Sequence, residues 1–212
     1  MSDGPVHVLK LVSLLLQYPE GPLLEARGEL ADAAETLPAG PQADAVRAFA
    51  RWYRDVPGDE LQAAYVETFD FSRRSALHLT YHVFGDRRQR GMALLALKQR
   101  YAAAGFELAD GELPDYLPVL LEFAALSGEP GLEALARNRE AVELIRAALH
   151  EQASPWAGLL DAVALPLPDL TRAQVARIRR MAEEGPPEEE VGLEPFAPPE
   201  AMPAAVSGGP VR

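Results

Sequence analysis

Residues 65–123 read YVETFDFSRRSALHLTYHVFGDRRQRGMALLALKQRYAAAGFELADGELPDYLPVLLEF and carry most of the information about the fold of this chain. Apolar and aromatic side chains recur there at intervals of three and four residues, a spacing typical of amphipathic α-helices. Charged residues stand among these apolar runs, but the stretch has no catalytic triad, metal cage or phosphate-binding loop. This combination predicts a helical protein that holds another protein.

The composition of the whole chain also favours helix. The 212 residues are 48% hydrophobic, which suits one domain with a substantial core. Ala, Leu, Glu and Arg are abundant and β-branched residues are scarce, a balance that favours helices over sheets. We therefore predict an all-α, single-domain helical bundle.

Charge and cysteine content exclude several classes of function. The formal net charge is -12, so the chain should repel a phosphate backbone and attract basic partners. We expect no nucleic-acid partner. The chain has no cysteine, which removes disulfides, thiolate metal sites, iron–sulfur ligation and cysteine nucleophiles.

The apolar run Val8–Leu16 resembles the core of a signal peptide, but Asp3 and a single Lys10 make a poor basic leader, and no small-residue cleavage site follows. The same run fits a first amphipathic helix. No run approaches the roughly 18 apolar residues of a membrane span. We expect a cytoplasmic protein without stable membrane insertion.

Helical periodicity and breaker residues predict the order of elements along the chain. The predicted helices are Val6–Tyr18, Leu23–Leu37, one through Ala45–Tyr53, one from Asp59 through Phe69, one capped by Asp86 and ended by Gly105, one from Pro114 to about Leu126, Leu132–His150, Ser154–Leu165, and one from Thr171 to Glu183.

The composition changes near residue 183. Residues 183–212 hold seven prolines and seven glutamates against one arginine, so they carry half of the net charge. Such a segment cannot bury enough apolar surface to fold alone. We predict a helical domain over residues 1–182 and a disordered, acidic, proline-rich tail over residues 183–212.

Within the tail, Val191–Phe196 is a small apolar island. It is either part of a flexible linker or a segment that folds back over a binding groove. In the second case, truncation of the tail should tighten client binding.

His78 and His82 lie four residues apart, the spacing that places two imidazoles on one helix face. No glutamate follows His78 as in a zinc-protease helix, and no third ligand is close in sequence. A packed or groove-lining role is favoured, and a metal-dependent enzyme remains the alternative.

Ser72 and Ser75 lack the flanking glycines of a nucleophile elbow.

Basic clusters at Arg73–Arg74 and Arg87–Arg90 stand out in an acidic chain. They are either solvated residues paired with Asp70 and Asp86 or anchors for an acidic or carbonyl-rich segment of a partner. Nearby aromatic residues are either core or the floor of a groove that receives an amphipathic helix. These aromatics are Tyr65, Phe69, Phe71, Tyr81 and Phe84.

Many of these residues also occur, in order, in a known family. The matching positions are Tyr65, Phe69, Asp70, Arg73, Leu77, His82, Val83, Gly85, Arg90, Gly91, Tyr101, Gly105, Glu112, Leu113, Pro114, Asp115, Leu117, Pro118, Leu121 and Glu122. Over roughly residues 6–165 the chain resembles the nitrate reductase delta subunits, the NarJ-type molybdenum cofactor assembly chaperones within the TorD-like helical chaperones. One position departs from the family pattern: Tyr116 stands where a histidine is usual.

The resemblance implies an all-helical, non-catalytic chaperone without a cofactor of its own. It implies binding to the N-terminal segment of the nitrate reductase catalytic (alpha) subunit while molybdenum cofactor is inserted. It also implies delayed membrane docking of the immature enzyme and absence of the chaperone from the finished complex. Molybdenum cofactor delivery proteins are further candidate partners. The alternative client is another molybdopterin oxidoreductase, such as a dimethyl sulfoxide or trimethylamine oxide reductase or a formate dehydrogenase.

The resemblance and the residue types together give a candidate client groove and its bracing. Its residues are Tyr65, Phe69, Asp70, Arg73, Leu77, His82, Gly85, Arg90, Gly91, Glu112, Pro114, Asp115 and Pro118. We expect Asp70 and Asp115 either to anchor cations of the client or to fix Arg73 and Arg90.

Overall fold

The computed structural model describes residues 4–85 and 87–185, and every regular element in those ranges is helical. The all-α prediction is confirmed for this part of the chain. None of these helices is long and apolar enough to cross a membrane. The predicted cap Asp86, the tail beyond Gly185 and its island Val191–Phe196 lie outside the described residues.

The elements follow one another in this order: α1 (Gly4–Leu15), α2 (Gly21–Glu25), α3 (Arg27–Glu35), α4 (Pro41–Asp55), α5 (Gly58–Tyr65), a π-helical turn (Val66–Asp70), α6 (Leu79–Phe84), α7 (Gln89–Ala103), α8 (Leu117–Ser127), α9 (Glu129–Arg137), α10 (Arg139–Glu151), α11 (Ala157–Ala164) and α12 (Arg172–Glu184).

Helix α8 is central to the core because it is apolar on nearly every side. Leu117, Leu120 and Phe123 are buried along its length. The helix packs against both α1 and α9. At one partly exposed edge of the helix, Lys10 of α1 forms an ion pair with Glu122.

Helix α4 forms a second layer with α3 and α11. Its apolar side buries Val46, Phe49 and Tyr53, while Arg51 on the outer side pairs with Glu35 of α3 at 2.7 Å. Exposed ion pairs add little stability. Apolar burial therefore holds this layer together.

Two predicted helices are each interrupted by one residue. Leu23–Leu37 is broken at Ala26, and Leu132–His150 is broken at Asn138. The side-chain amide of Asn138 donates to the carbonyl of Ala134 at 2.9 Å, a local bond that competes with helix propagation. Neither break contains proline or glycine, so the sequence carries no strong marker for it.

The placement of Pro114 in the first turn of a helix was wrong. Helix α8 begins at Leu117, and Pro118 occupies the first turn. The backbone of Tyr116 is extended, and residues 115 and 117 exchange hydrogen bonds with residues 79 and 77 around an antiparallel bridge between His78 and Tyr116. Those hydrogen bonds hold the segment outside the helix.

The predicted loop at residues 127–131 is also replaced by helix. Gly128, with φ of 67°, separates α8 from α9, and Pro130 stands in the first turn of α9. Gly131 packs directly on α8: a Cβ added there would lie 2.4 Å from the Cα of Ala124. The two helices approach this closely because position 131 has no side chain.

The predicted cap at Thr171 is confirmed. Its hydroxyl accepts from the backbone N–H of Gln174, whose side chain accepts from the backbone N–H of Thr171 in return. Helix α12 runs to Glu184 and packs on α10. Arg177 of α12 forms an ion pair with Glu140 of α10.

We expect Gly131→Ala to lower the free energy of unfolding by about 1–3 kcal/mol, because the new methyl group would overlap the α8 backbone. Gly91→Ala is the matched control: Gly91 lies inside α7 with open space around it, so alanine should raise stability by about 0.5–1 kcal/mol. Urea unfolding measures both values. Equal stability of the two variants would contradict the close approach of α8 and α9.

Candidate functional site

A surface groove of about 310 Å³ opens beside the π-helical turn. We call it the tyrosine groove. It is lined by Tyr18, Tyr65, Phe69, Asp70, Ala76, Leu77, His78 and Tyr116. Four of the residues predicted to form a client groove therefore line one cavity: Tyr65, Phe69, Asp70 and Leu77.

The groove floor depends on the π-helical turn, Val66–Asp70, which continues α5. At its end the N–H of Phe71 donates to the carbonyl five residues earlier, that of Val66, at 3.1 Å. The ring centroids of Tyr65 and Phe69 lie 4.7 Å apart, and both side chains are almost fully buried. Such widened turns are rare and often occur at functional sites.

Trp156 supports this floor from the core side. Its ring is fully buried and lies 5.4 Å from Phe69, 5.9 Å from Tyr65 and 5.6 Å from Phe49, measured between ring centroids. Its indole N–H donates to the carbonyl of Leu15 at 3.3 Å. Edge-to-face aromatic packing of this kind fixes ring positions. The floor is therefore part of the core and not a mobile lining.

Hydroxyl groups join the groove floor to the end of α1. The Tyr65 hydroxyl donates to the carbonyl of Leu16 at 3.0 Å and lies 3.2 Å from the Tyr116 hydroxyl. Tyr18 packs edge-to-face on Tyr65, with ring centroids 5.5 Å apart. Burial, with Tyr116 nearby, raises the pKa of Tyr65 far above its ordinary value. The phenol therefore stays neutral and keeps its proton for hydrogen bonding.

Behind the groove, the fully buried carboxylate of Asp115 binds the start of α6. One oxygen accepts from the backbone N–H of Thr80 at 3.1 Å and from the Thr80 hydroxyl. The other oxygen lies 3.3 Å from Nδ1 of His78, and a terminal guanidinium nitrogen of Arg90 stands 3.7 Å from the first oxygen. The carbonyl of Asp115 accepts from the N–H of Leu79. Asp115 thus caps α6 from a distant part of the chain.

Opposing effects act on the Asp115 carboxyl. Burial alone would raise its pKa, but hydrogen bonds from His78 and Thr80 and the charges of His78 and Arg90 outweigh burial. The net result is a pKa below the ordinary value, so Asp115 is ionised at neutral pH. Of the two roles proposed for it, the geometry fits the fixing of Arg90.

His78 and His82 engage different partners. His78 precedes α6, and its ring packs against Tyr116 with centroids 5.3 Å apart. His82 is buried and its Nε2 lies 2.7 Å from the carbonyl of Ala76, while burial lowers the pKa of its ring. Within residues 4–85 and 87–185, no three metal-ligating side chains gather in one place. The spacing of four therefore does not produce a shared site.

Several other predicted residues do not line the groove but make structural contacts elsewhere. Gly85 ends α6 with φ of 58° and ψ of -143°, a conformation that only glycine adopts readily. The carbonyl of Pro114 accepts from the hydroxyl of Tyr101 at 2.8 Å, and buried Pro118 starts α8. Arg90 donates from Nε to the Thr80 hydroxyl at 3.3 Å.

Three predicted residues are not among those that line the groove. Arg73 and Glu112 are exposed on connecting segments, and Gly91 is exposed on α7. None of the three is among the residues that line the cavity. Their match to the family pattern is not explained by contact with this groove.

Sequence reasoning missed two aromatic residues that shape the site. Tyr18 follows α1 and forms a groove wall, and Trp156 supports the floor although it lies 87 residues beyond Phe69 in the chain. No local sequence pattern marks Trp156 as part of the site, because its neighbours in space come from distant helices.

The helical fold is similar to that of a solved structure. A crystal structure of a protein from Archaeoglobus fulgidus, assigned as a redox enzyme maturation protein, aligns with a TM-score of 0.59. The alignment covers 76% of this chain and 91% of that one, at 23% sequence identity. At that identity the match establishes a common fold and no more.

The sequence profile of the nitrate reductase delta subunit family matches residues 35–162, and the chain belongs to that family. The nitrate reductase molybdenum cofactor assembly chaperone NarJ of Escherichia coli K12 is 35% identical over 156 residues, 72% of this chain and 66% of that protein. The nitrate reductase-like protein NarX of Mycobacterium tuberculosis H37Rv is 38% identical over 159 residues, 74% of this chain but 24% of NarX. The chain thus spans about a quarter of NarX and about two thirds of NarJ.

We expect Asp115→Asn to lower the free energy of unfolding at pH 7 by about 2–4 kcal/mol. The substitution removes the buried negative charge that faces His78, Thr80 and Arg90. The folded-state pKa of Asp115 is lowered, so its stabilisation is complete above about pH 4, the unfolded value. It disappears as the pH falls through the folded-state pKa.

Urea unfolding from pH 7 to pH 2 tests this expectation, with exposed Asp70→Asn as the control that should change stability by less than about 0.5 kcal/mol. A gap between wild type and Asp115→Asn that stays constant down to pH 2 would show that the charge of Asp115 is not what stabilises the start of α6.

Proposed function

We propose that this protein is a non-catalytic chaperone for the assembly of respiratory nitrate reductase. Family membership supports this role, since the E. coli relative is named a nitrate reductase molybdenum cofactor assembly chaperone. The observation that carries the proposal is the tyrosine groove itself: the densest part of the family resemblance, around Tyr65, Phe69 and Leu77, lines one cavity with a rigid aromatic floor.

The client is the N-terminal segment of the immature nitrate reductase catalytic subunit. At about 310 Å³ the groove is at the small end of ligand pockets, a size that suits a few anchoring side chains of a segment. Its aromatic and aliphatic walls suit the apolar face of an amphipathic helix. Asp70 is exposed at its edge, where a carboxylate suits a lysine or arginine of the client.

The chemistry of the groove suits holding better than reaction. Tyr65 is neutral and hydrogen-bonded to a backbone carbonyl, and Asp115 is committed to the start of α6. Neither group is therefore available to transfer a proton to or from a bound ligand. While the segment is bound, the catalytic subunit would remain open for molybdenum cofactor insertion and would be kept from docking early at the membrane. The chaperone would then leave, so it is not part of the finished enzyme.

Binding of a synthetic client N-terminal segment to variants at the groove edge tests the site. We expect Tyr18→Ala to raise the dissociation constant about tenfold, since the partly exposed ring of Tyr18 forms one wall of the groove. Asp70→Lys should weaken binding of a basic segment and reverse the salt dependence of affinity. Isothermal titration calorimetry measures both.

Glu29→Gln is the matched control, because Glu29 is an exposed acid on α3 and is not among the residues that line the groove, and it should change affinity less than twofold. Circular dichroism confirms that each variant remains folded. Unchanged affinity in folded Tyr18→Ala and Asp70→Lys would exclude the tyrosine groove as the client site.

Capture on the full-length chain from nitrate-respiring cells identifies the client. We expect the nitrate reductase catalytic subunit to be the main captured protein. Recovery of a dimethyl sulfoxide reductase, a trimethylamine oxide reductase or a formate dehydrogenase in its place would reassign the chaperone to that client.

A further inference from the structure

Helix α7 leaves an apolar stripe facing solvent. Within the helix, Leu97 and Tyr101 are its buried residues. Met92 is 69% exposed and Leu95 is 48% exposed, although both are large apolar side chains. They lie three residues apart and therefore share one face of the helix. An exposed stripe of this kind typically marks a surface that another segment covers.

Basic residues border this stripe. Residues 87–106 contain no aspartate or glutamate, in a chain whose net charge is -12. Arg87 and Arg88 are exposed just before the helix, and Lys98 is exposed further along it. Arg90 is turned inward to Asp115. We call the surface formed by Arg87, Arg88, Met92, Leu95 and Lys98 the α7 face.

The most basic part of the α7 face is its beginning. Lys98 borders a cavity of about 300 Å³ that Glu107 also lines, and Arg100 lies close enough to Glu133 of α9 to affect its pKa. Acidic groups therefore partly balance the far end of the helix. An occupant of this surface should be acidic where it meets Arg87 and Arg88, and apolar where it meets Met92 and Leu95.

One segment of the chain has this composition. Beyond the described residues the sequence continues as Pro-Pro, then Glu188–Glu190, then Val191-Gly-Leu-Glu-Pro-Phe196. We propose that residues 188–196 bind the α7 face of the same molecule, with the three glutamates at Arg87 and Arg88 and with Val191, Leu193 and Phe196 on the apolar stripe. This inference does not depend on the identity of any client.

The position of the last described residue makes this contact reachable. Gly185, which follows α12, lines the same small cavity as His82 of α6. Arg87 comes five residues after His82, at the opposite end of the short connection to α7. From Gly185 to Glu188 the chain can span up to about 10 Å when extended, and from Glu188 to Phe196 up to about 27 Å, whereas α7 rises about 15 Å over ten residues. The segment is therefore long enough to run along the α7 face from its beginning.

Charge favours the α7 face over the tyrosine groove as the destination. The groove has Asp70 at its edge and no lysine or arginine among its lining residues, so it would repel a run of glutamates. The same segment on another molecule is a weaker competitor, because a short tether gives an effective concentration of about millimolar. The acidic tail and the basic client segment would then occupy separate surfaces.

Paramagnetic relaxation enhancement in the full-length protein tests the contact. The chain contains no cysteine, so Ala197→Cys provides a single attachment point for a nitroxide label one residue after Phe196. We expect the backbone amides of residues 88–99 to lose most of their intensity, and those of α3 and α4 to keep theirs. In about 1 M sodium chloride, where the Debye length is about 3 Å, the effect should weaken.

Paired variants locate the contact. Arg87→Glu with Arg88→Glu, and separately Met92→Ser with Leu95→Ser, should each abolish the broadening along α7. Arg179→Glu with Arg180→Glu is the matched control: it reverses two exposed charges on α12, nearer to the tail, and should leave the broadening in place.

Three results would overturn the proposal. Broadening of residues 65–78 in place of α7 would assign the segment to the tyrosine groove. Broadening that persists when labelled protein is mixed with unlabelled, isotope-enriched protein would assign the α7 face to a second copy. Absence of any broadening along α7 would exclude the contact altogether.

Discussion

The groove depends on one buried carboxylate. Asp115 supplies both the side-chain oxygen and the backbone carbonyl that satisfy the first N–H groups of α6, a task that a residue next to the helix usually performs. His78, which occupies the capping position, makes no such bond itself. By reaching from residue 115 to residue 80, the carboxylate fixes the segment before α6 against the segment before α8. The wall residues Leu77, His78 and Tyr116 all lie on these two segments.

The elements that sequence could predict are those whose causes are local. The capping box at Thr171 and the apolar face of α4 are encoded within a few residues, and both occur in the structure. The cap provided by Asp115 and the support provided by Trp156 join residues that are far apart in the chain. Periodicity carries no information about such pairs. The π-helical turn is a third case, since it differs from an α-helix by a single residue in hydrogen-bond spacing.

The candidate site was predictable to a similar degree. Residue type and family resemblance singled out Tyr65, Phe69 and Leu77, which line the groove together. The same reasoning singled out Gly91 and Glu112, which lie elsewhere. Resemblance identifies positions but does not distinguish lining from bracing. That distinction comes from position relative to the cavity: Asp70 lines it and is exposed, whereas Asp115 is fully enclosed and is not among the lining residues.

Tyr116 takes the place at which the family usually has histidine, and its surroundings show what the change does. Its hydroxyl meets that of Tyr65, and its ring packs on His78. Burial raises the pKa of Tyr116. A group that would titrate near neutral pH is thus replaced by one that stays neutral. The edge of this groove should be less sensitive to acidification than one formed with a second imidazole.

The position of Trp156 gives the molecule a built-in optical reporter. The chain has two tryptophans, and they pack edge-to-face with ring centroids 5.3 Å apart, directly behind the groove floor. Trp156 packs against Tyr65 and Phe69, two of the residues that line the cavity. Tryptophan emission responds to the polarity and packing of its surroundings, so intrinsic fluorescence should follow occupancy of this groove without any attached dye.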